Sequence, residues 1–540
     1  MRSGSTGGPW LRDLNFRTSG ILLHVTSLPS PYGIGDFGPT AISWIDRLCR
    51  AGQSWWQALP MGPTGYNDSP YQPLSSFAGN VLLISIEWLI EDGLLNATDC
   101  THQPFPPTVV DYEAVTSFKH RLIETAWRRF EGGGCPTLRA AYEQFRQEQK
   151  HWLDDYAIFR ALKVKFGNVH YLRWPAELVN RSPTALARAR RGLADAIDQI
   201  TFAQFLVFRQ ADRLKTYAHK NGLRLIGDLP FFVSGDSSDV WSSPELFLLD
   251  AQHRPRFVAG VPPDYFSAKG QLWGNPEYDW DVLRRSGYRW WIARLRSLLN
   301  HVDVVRLDHF RGFAAAWHVP PGGAATAETG SWMLGPGAGF FDAVYKELGR
   351  LPFIAEDLGI ITADVHALRD QFHLQGMRVL QFAFDGKPDN PYLPENFGRN
   401  TVVYTGTHDN PPTRAWFEDL PADQQQRVRN YLKQRVLSSS EAAHALMEVA
   451  WSSKAELAVA PLQDLLNLGK EARMNVPGRA EGNWRWRCTE GMLSEDDFEW
   501  LEHLTKNAHR FESPDSREHE NPEATSVSGF FDSEHFRMRD

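Results

Sequence analysis

The chain has 540 residues, 23% of them charged, and a formal net charge of −8. That length buries a large core and exceeds one ordinary domain, so a barrel with insertions or extra subdomains is expected; the acidic balance excludes nucleic acid and polyanionic substrates, which need a concentrated basic patch. Four scattered cysteines without CxxC or metal-ligand spacing, and no run near ~18 apolar residues, exclude a disulfide framework, a zinc site and a membrane span.

Residues 1–18 are rich in Gly, Ser and Arg without the apolar centre of a signal peptide, and read as a flexible lead-in to a cytoplasmic protein. A first strand is expected over 19–25 (SGILLHV), followed by a Pro/Gly loop, an amphipathic helix over about 39–51 and a second strand over 54–59. That is one βαβ unit. Its second strand runs out into PMGPTGYNDSPYQPLSSFAGN (60–80), where Tyr66, Asp68 and Tyr71 offer hydroxyls, a carboxylate and ring faces of the kind a carbohydrate site uses. The same residues also serve as plain turn chemistry. From 81 to 222 the pattern turns helical, with Phe, Leu and Trp on one face and charges on the other, and reads as an insertion.

The barrel pattern resumes with LRLIGDL (223–229), whose Asp228 marks a strand tip. Next comes 230–280, a long stretch of low periodicity in which Asp264, Tyr265 and Trp273 stand among prolines and glycines; loops of that length in compact domains are usually functional. The 20 tryptophans could stack on sugar rings or simply fill a large core. A helix over 288–299 leads to VDVVRLDHFRGF (302–313), a Val-rich run that stops on Arg306, Asp308, His309 and Arg311. Such a run reads as a strand buried on both faces, as in parallel sheets. After a Gly-rich loop (320–339) and a helix, LPFIAEDLG stops on Glu356 and Asp357; a strand over 377–384 follows, and TVVYTGTHDN stops on His408, Asp409 and Asn410. The last strand is expected over 457–465. Eight starts, at 19, 54, 223, 302, 351, 377, 401 and 457, predict an α/β fold, a TIM (β/α)8 barrel over 19–505 with large, mainly helical insertions after strands two and three. The charged, apolar-poor run over 506–540 is expected to be a mobile tail.

In such a barrel the strand tips face the active site, so three successive tips ending in acids put three carboxylates on one cavity. His24, His309 and His408 lie beside different strands with no HxH or HxxxH spacing, so no metal and no cofactor is expected. Glycoside chemistry fits: one ionised carboxylate attacks the anomeric carbon and a second, kept protonated, serves the leaving oxygen. Arg306 sits two residues before Asp308, on the same side of the strand, and is expected to hold Asp308 ionised as the nucleophile. Glu356 is then the acid and base, titrating high beside it.

The chain resembles the amylomaltases, 4-α-glucanotransferases (disproportionating enzymes) of the α-amylase-like barrel superfamily, in seven ordered blocks: SSFAGN (75–80), GDLPFFVSGDSSDVW (227–241), VAGVPPDYFSAKGQLWGNPEY (258–278), VRLDHFRGF (305–313), IAEDLG (354–359), TGTHDN (405–410), and EARMNVPG with GNWRWR (471–487). The resemblance implies Asp308 as nucleophile, Glu356 as general acid/base and Asp409 as the carboxylate that binds sugar hydroxyls in the transition state. It implies Arg306, His309 and His408 around the central sugar, with Tyr66, Asp264 and Trp273 lining neighbouring subsites; Asp68, Tyr71, Tyr265, Asn410 and Asn483 complete the sugar-contacting candidates. One departure stands beside Asp409, where Pro411 and Pro412 replace the acid and small polar residue usual in the family. The expected partners are α-1,4-glucan donors and acceptors, maltooligosaccharides and glucose among them, with no nucleic acid and no membrane. An α-1,4-glucan hydrolase is the alternative enzyme. A glycan-binding barrel without activity is a different class, and would need a carboxylate to be missing.

Overall fold

Eight short apolar runs meet edge to edge in the computed structural model, which describes residues 17–263, 269–322, 326–433 and 438–511. They are β1 (Thr18–Leu22), β2 (Trp55–Gln57), β3 (Arg224–Leu229), β4 (Val304–Leu307), β5 (Phe353–Ala355), β6 (Gln375–Val379), β7 (Thr401–Tyr404) and β8 (Leu457–Pro461). Each pairs in parallel with the next, and β8 closes on β1. Every expected strand start therefore has its strand. The ends fall short of expectation: β1 stops at Leu22 with Val25 in a one-turn helix (Val25–Ser27), β2 stops at Gln57, the run after Val379 folds into a one-turn helix (Leu380–Phe382), and β8 stops at Pro461, which has no N–H to continue a ladder and leads into the short helix Leu462–Leu465.

Inside the barrel, Leu22, Trp55, Ile226, Val304, Ile354, Met377, Val402 and Leu457 form one buried cluster, a side chain from each strand. Packed interiors of this kind make the barrel a solid core, each aliphatic residue contributing about 1.5–3 kcal/mol. Close approach at β1 and β2 depends on Gly20, where a Cβ would stand 2.5 Å from the Trp55 carbonyl oxygen.

Between β2 and β3 the chain is largely helical, with Tyr112–Glu131, Lys150–Lys165 and Ala194–Lys220 as its longest pieces. The stretches 230–280 and 320–339, expected to be irregular, contain strands of a second sheet. Gln271–Pro276, Val258–Val261, Ala315–Val319 and Ser331–Leu334 lie side by side in that order, antiparallel. Periodicity hid them because each is short, and Gly260, Gly274 with φ +78°, and Pro276 interrupt the two in the first stretch.

The expected tail begins too early. Glu495–Asn507 is a helix, and Arg510 is buried beneath the barrel, donating to the carbonyls of Thr18, Trp451, Ser453 and Ala455. Its long stem and planar donors tie the entry of β1 to the segment before β8, a role its charge conceals in the sequence; burial pulls its pKa down to about 9. Arg17 joins this lattice through the carbonyl of Ala508, so the fold already holds the chain one residue before Thr18. Residues 1–16 and 512–540 lie outside the described residues. Among the described ones no helix is long and apolar enough to cross a membrane.

Candidate active site

The tips of β3, β4 and β5 are continued past their strands by backbone bonds. Asp308 N–H donates to the Leu229 carbonyl (3.1 Å), Glu356 N–H to Leu307 (3.1 Å), and Phe310 N–H to Glu356 (3.1 Å). The acids thus sit on backbone as fixed as the sheet itself. In the parallel register Asp228 faces Arg306, and Arg306 Nη1 donates to both Asp228 oxygens (2.9 and 2.8 Å) and to Asp308 Oδ1 (3.1 Å). Tyr71 adds its hydroxyl to Asp228 Oδ2 at 2.7 Å, and its ring stacks on His408 at 5.1 Å. Arg306 is pushed further up than an ordinary arginine by Asp228 and Asp308, against the opposing effect of burial, and stays charged.

His309 takes a left-handed backbone, φ +48°, uncommon for a residue with a Cβ. That bend brings its N–H to Glu356 Oε2 at 2.8 Å, while Leu358 N–H reaches Oε1 at 3.0 Å. Both bonds favour a charged Glu356, as does Arg306. Burial outweighs them, with the charge of Asp308 adding to it, and Glu356 is pushed up to about 8. Asp308 is also raised, to about 6, chiefly by burial and further by Asp228 and Asp409. This corrects the expectation of a low-titrating Asp308: the Arg306 guanidinium is shared, and makes two of its three bonds to Asp228. The order of the two acids is as expected.

Asp357 is the neighbour of Glu356 but faces away from it. It accepts from the N–H of Met377 at 2.7 Å and pairs with Arg378 at 3.2 Å and Arg369, which makes it part of the wall. Asp409 is half-exposed at the opposite tip, its Oδ1 accepting from Asn475 Nδ2 at 2.6 Å and its main-chain oxygen from Arg473 Nη2 at 2.7 Å. His408 Nε2 lies 3.4 Å from the same Oδ1. Burial pulls His408 down, and takes His309 to about 4 and His24 to about 3, so all three are neutral near pH 7. Among the described residues no group of three or more His, Cys, Asp or Glu could hold a metal ion.

The remaining candidates divide. Trp273, on the second sheet, sets its ring edge-on to His309 at 5.0 Å and is brought to the site. Tyr66 stands on the rim, 77% exposed, beside Asn67 and Asp68 in left-handed backbone, and Asp68 pairs with Arg485 at 3.3 Å. Asn410 accepts from the N–H and hydroxyl of Thr407 (3.0 and 2.9 Å), closing its own turn. Asn483 is buried and bonded at both ends within its loop, to Val476 N–H at 3.0 Å and the Arg479 carbonyl at 2.7 Å. Both amides hold backbone. Asp264 and Tyr265 lie outside the described residues. Sequence reasoning missed Arg473 and Asn475 as partners of Asp409, although both stand in the block EARMNVPG, and it saw Asp228 only as a strand tip.

Comparison with known proteins gives the family. A family model described as 4-alpha-glucanotransferase matches residues 23–493. The 4-alpha-glucanotransferase of Thermus thermophilus is 47% identical over 484 residues, 88% of this chain and 96% of that protein, and the one from Synechocystis sp. is 46% identical over 493 residues, 90% and 96% of the two chains. Among solved structures, an amylomaltase from Streptococcus agalactiae in complex with acarbose superposes with a TM-score of 0.88 at 37% identity, covering 92% of this chain and all of that one. The chain belongs to the 4-alpha-glucanotransferase family.

Proposed function

We propose that the protein moves α-1,4-linked glucan segments between maltooligosaccharides, or from starch- and glycogen-type glucans, by two successive displacements at the strand tips. The observation that carries this reading is the pair of acids on adjacent tips set to different protonation states, Asp308 at about 6 and Glu356 at about 8. At neutral pH the first is mainly ionised and the second mainly protonated. Asp308 attacks the anomeric carbon while Glu356 gives its proton to the glycosidic oxygen, so the sugar–oxygen bond breaks as the sugar–Asp308 ester forms. Glu356, now a carboxylate, takes the proton of the incoming 4-hydroxyl as that oxygen displaces Asp308. Two inversions return the α configuration. Asp409, bonded to Asn475 and 3.4 Å from His408 Nε2, holds sugar hydroxyls in this reading as positive charge develops on the ring.

Transfer in place of hydrolysis requires that a bound sugar outcompete water, and the 60–80 loop and the second sheet with Trp273 are the elements around the tips that can bind one. The test is incubation of the pure protein with maltotriose alone. A ladder of longer and shorter maltooligosaccharides with conserved total reducing ends is expected; rising reducing ends without longer products would show a hydrolase.

A further inference from the structure

The segment between β7 and Thr413 carries His408, Asp409 and Asn410, and its second half has few backbone handles. Pro411 and Pro412 lack N–H groups, and Pro412 occupies the cap position of the helix Thr413–Asp419 without a side chain that can accept from it. One buried acid from a neighbouring strand connection supplies what is missing. Asp464, in the short helix after β8 and 1% exposed, accepts from Thr413 N–H at 2.7 Å through Oδ1. Its Oδ2 accepts from Thr413 Oγ1 at 2.7 Å and from Thr405 Oγ1 at 2.5 Å. A single carboxylate therefore ties together both ends of the segment that bears Asp409. Gln381, just past β6, completes the anchor by donating to the Pro411 carbonyl and to Thr413 Oγ1, both at 3.1 Å. The tip is held separately, by Arg473 and Asn475.

We propose that Asp464 is a positioning residue for the transfer reaction, fixing the segment from Thr405 to Thr413 so that Asp409 meets the sugar in the transition state. The inference rests on the reading of Asp409 given above. An orphaned N–H and two hydroxyls would be left if the carboxylate were removed, and a base free to shift by an ångström moves Asp409 with it, a displacement worth about 10²-fold in rate. An amide at the same position keeps an acceptor for Thr413 N–H, and both threonine hydroxyls can rotate to accept from its nitrogen.

The test is a cycle of Asp464→Ala, Asp464→Asn and Asp409→Asn, read by kcat/KM for maltotriose and by calorimetric binding of acarbose, which needs no turnover. Asp464→Ala is expected to lower kcat/KM by about 10²-fold and weaken acarbose by about 10-fold or more, with Asp464→Asn recovering most of both. In the Asp409→Asn background the same alanine should change acarbose binding by less than about 2-fold, because the group it positions is already lost. An undiminished effect in that background, or a kcat/KM within about 2-fold of the parent for Asp464→Ala, overturns the proposal. Should the alanine variant fail to fold, Thr405→Val removes one of the three bonds to Asp464, leaves the Gln381 bonds in place, and runs through the same cycle. Asp409→Asn alone separates the two readings: full activity there defeats the role given to Asp409, whereas its loss alongside a silent Asp464→Ala defeats only the role given to Asp464.

Discussion

At the tips of β4 and β5 the carboxylates of Asp308 and Glu356 accept from fixed donors and Arg306 is 4% exposed, whereas on the rim Tyr66 is 77% exposed and the strand Ser331–Leu334 shows its whole length to solvent. The tips are built on hydrogen-bonded barrel backbone; the rim is built on an antiparallel sheet and a proline-rich loop. The difference teaches which part of the reaction each can govern. Bond breaking needs charges placed in advance in a site of low polarity, which only the tips supply. The choice between water and sugar as second nucleophile depends on surfaces that bind an acceptor, which the rim supplies.

The largest effects should therefore come from the tips. Asp308→Asn removes the proposed nucleophile and is expected to lower kcat for both transfer and hydrolysis by on the order of 10⁴-fold or more, measured on maltotriose. A variant that kept transfer would mean that another group forms the intermediate. Glu356→Gln should lose about 10²- to 10⁴-fold on maltotriose and much less on α-glucosyl fluoride, whose leaving group needs no proton. Equal losses on both donors would remove Glu356 from the acid role. The pH dependence of kcat/KM follows from the same two groups. Asp308 must be ionised, so activity falls below about 6, and Glu356 must be protonated, so it falls above about 8. Activity that stays flat to pH 10 would show that a group other than Glu356 gives the proton.

The tips were legible in the sequence because the signal there is doubled: a Val-rich run marks the strand and an abrupt charge marks its end, three times over at Asp308, Glu356 and Asp409. What sequence could not weigh was competition. Arg306 looked like the dedicated partner of Asp308 until the register placed Asp228 opposite it, 78 positions away in the chain, and made the bond to Asp308 the minor share. Asp357 and Glu356 are equivalent in sequence and opposite in space, since adjacent residues face opposite sides of an extended chain. The rim was least legible. Its strands are four to six residues long, two of them interrupted by glycine or proline, and the central pair joins residues 61 positions apart, Val258 and Val319, so local pattern carries little of their order. Arg510 shows the same blindness at the other end of the barrel: a charged residue beyond an apparent boundary is one of the most buried side chains in the protein.

The smallest expected effects distinguish two aromatics of the rim. Trp273 packs edge-on against His309 at 5.0 Å and tilts against Phe232 at 6.0 Å, so its ring is part of the wall next to the tips. Tyr66 stands free on a 3-10 turn and can only meet a sugar that already extends out of the site. Removing either ring costs stacking worth about 0.5–1.5 kcal/mol, about a threefold to tenfold change in acceptor binding, and leaves the charges at the tips in place. The ratio of hydrolysis to transfer on maltotriose should therefore rise in both variants while the first step changes little, by up to about tenfold in Trp273→Ala and about threefold in Tyr66→Ala. The order matters more than the size. Trp273→Ala also uncovers His309, whose neutral state depends on burial, so its pH profile should move on the acidic side where that of Tyr66→Ala does not. Product analysis across pH decides it: if Trp273→Ala loses total turnover as completely as Asp308→Asn with an unchanged product ratio, the second sheet positions the donor, and the division of labour between tips and rim is wrong.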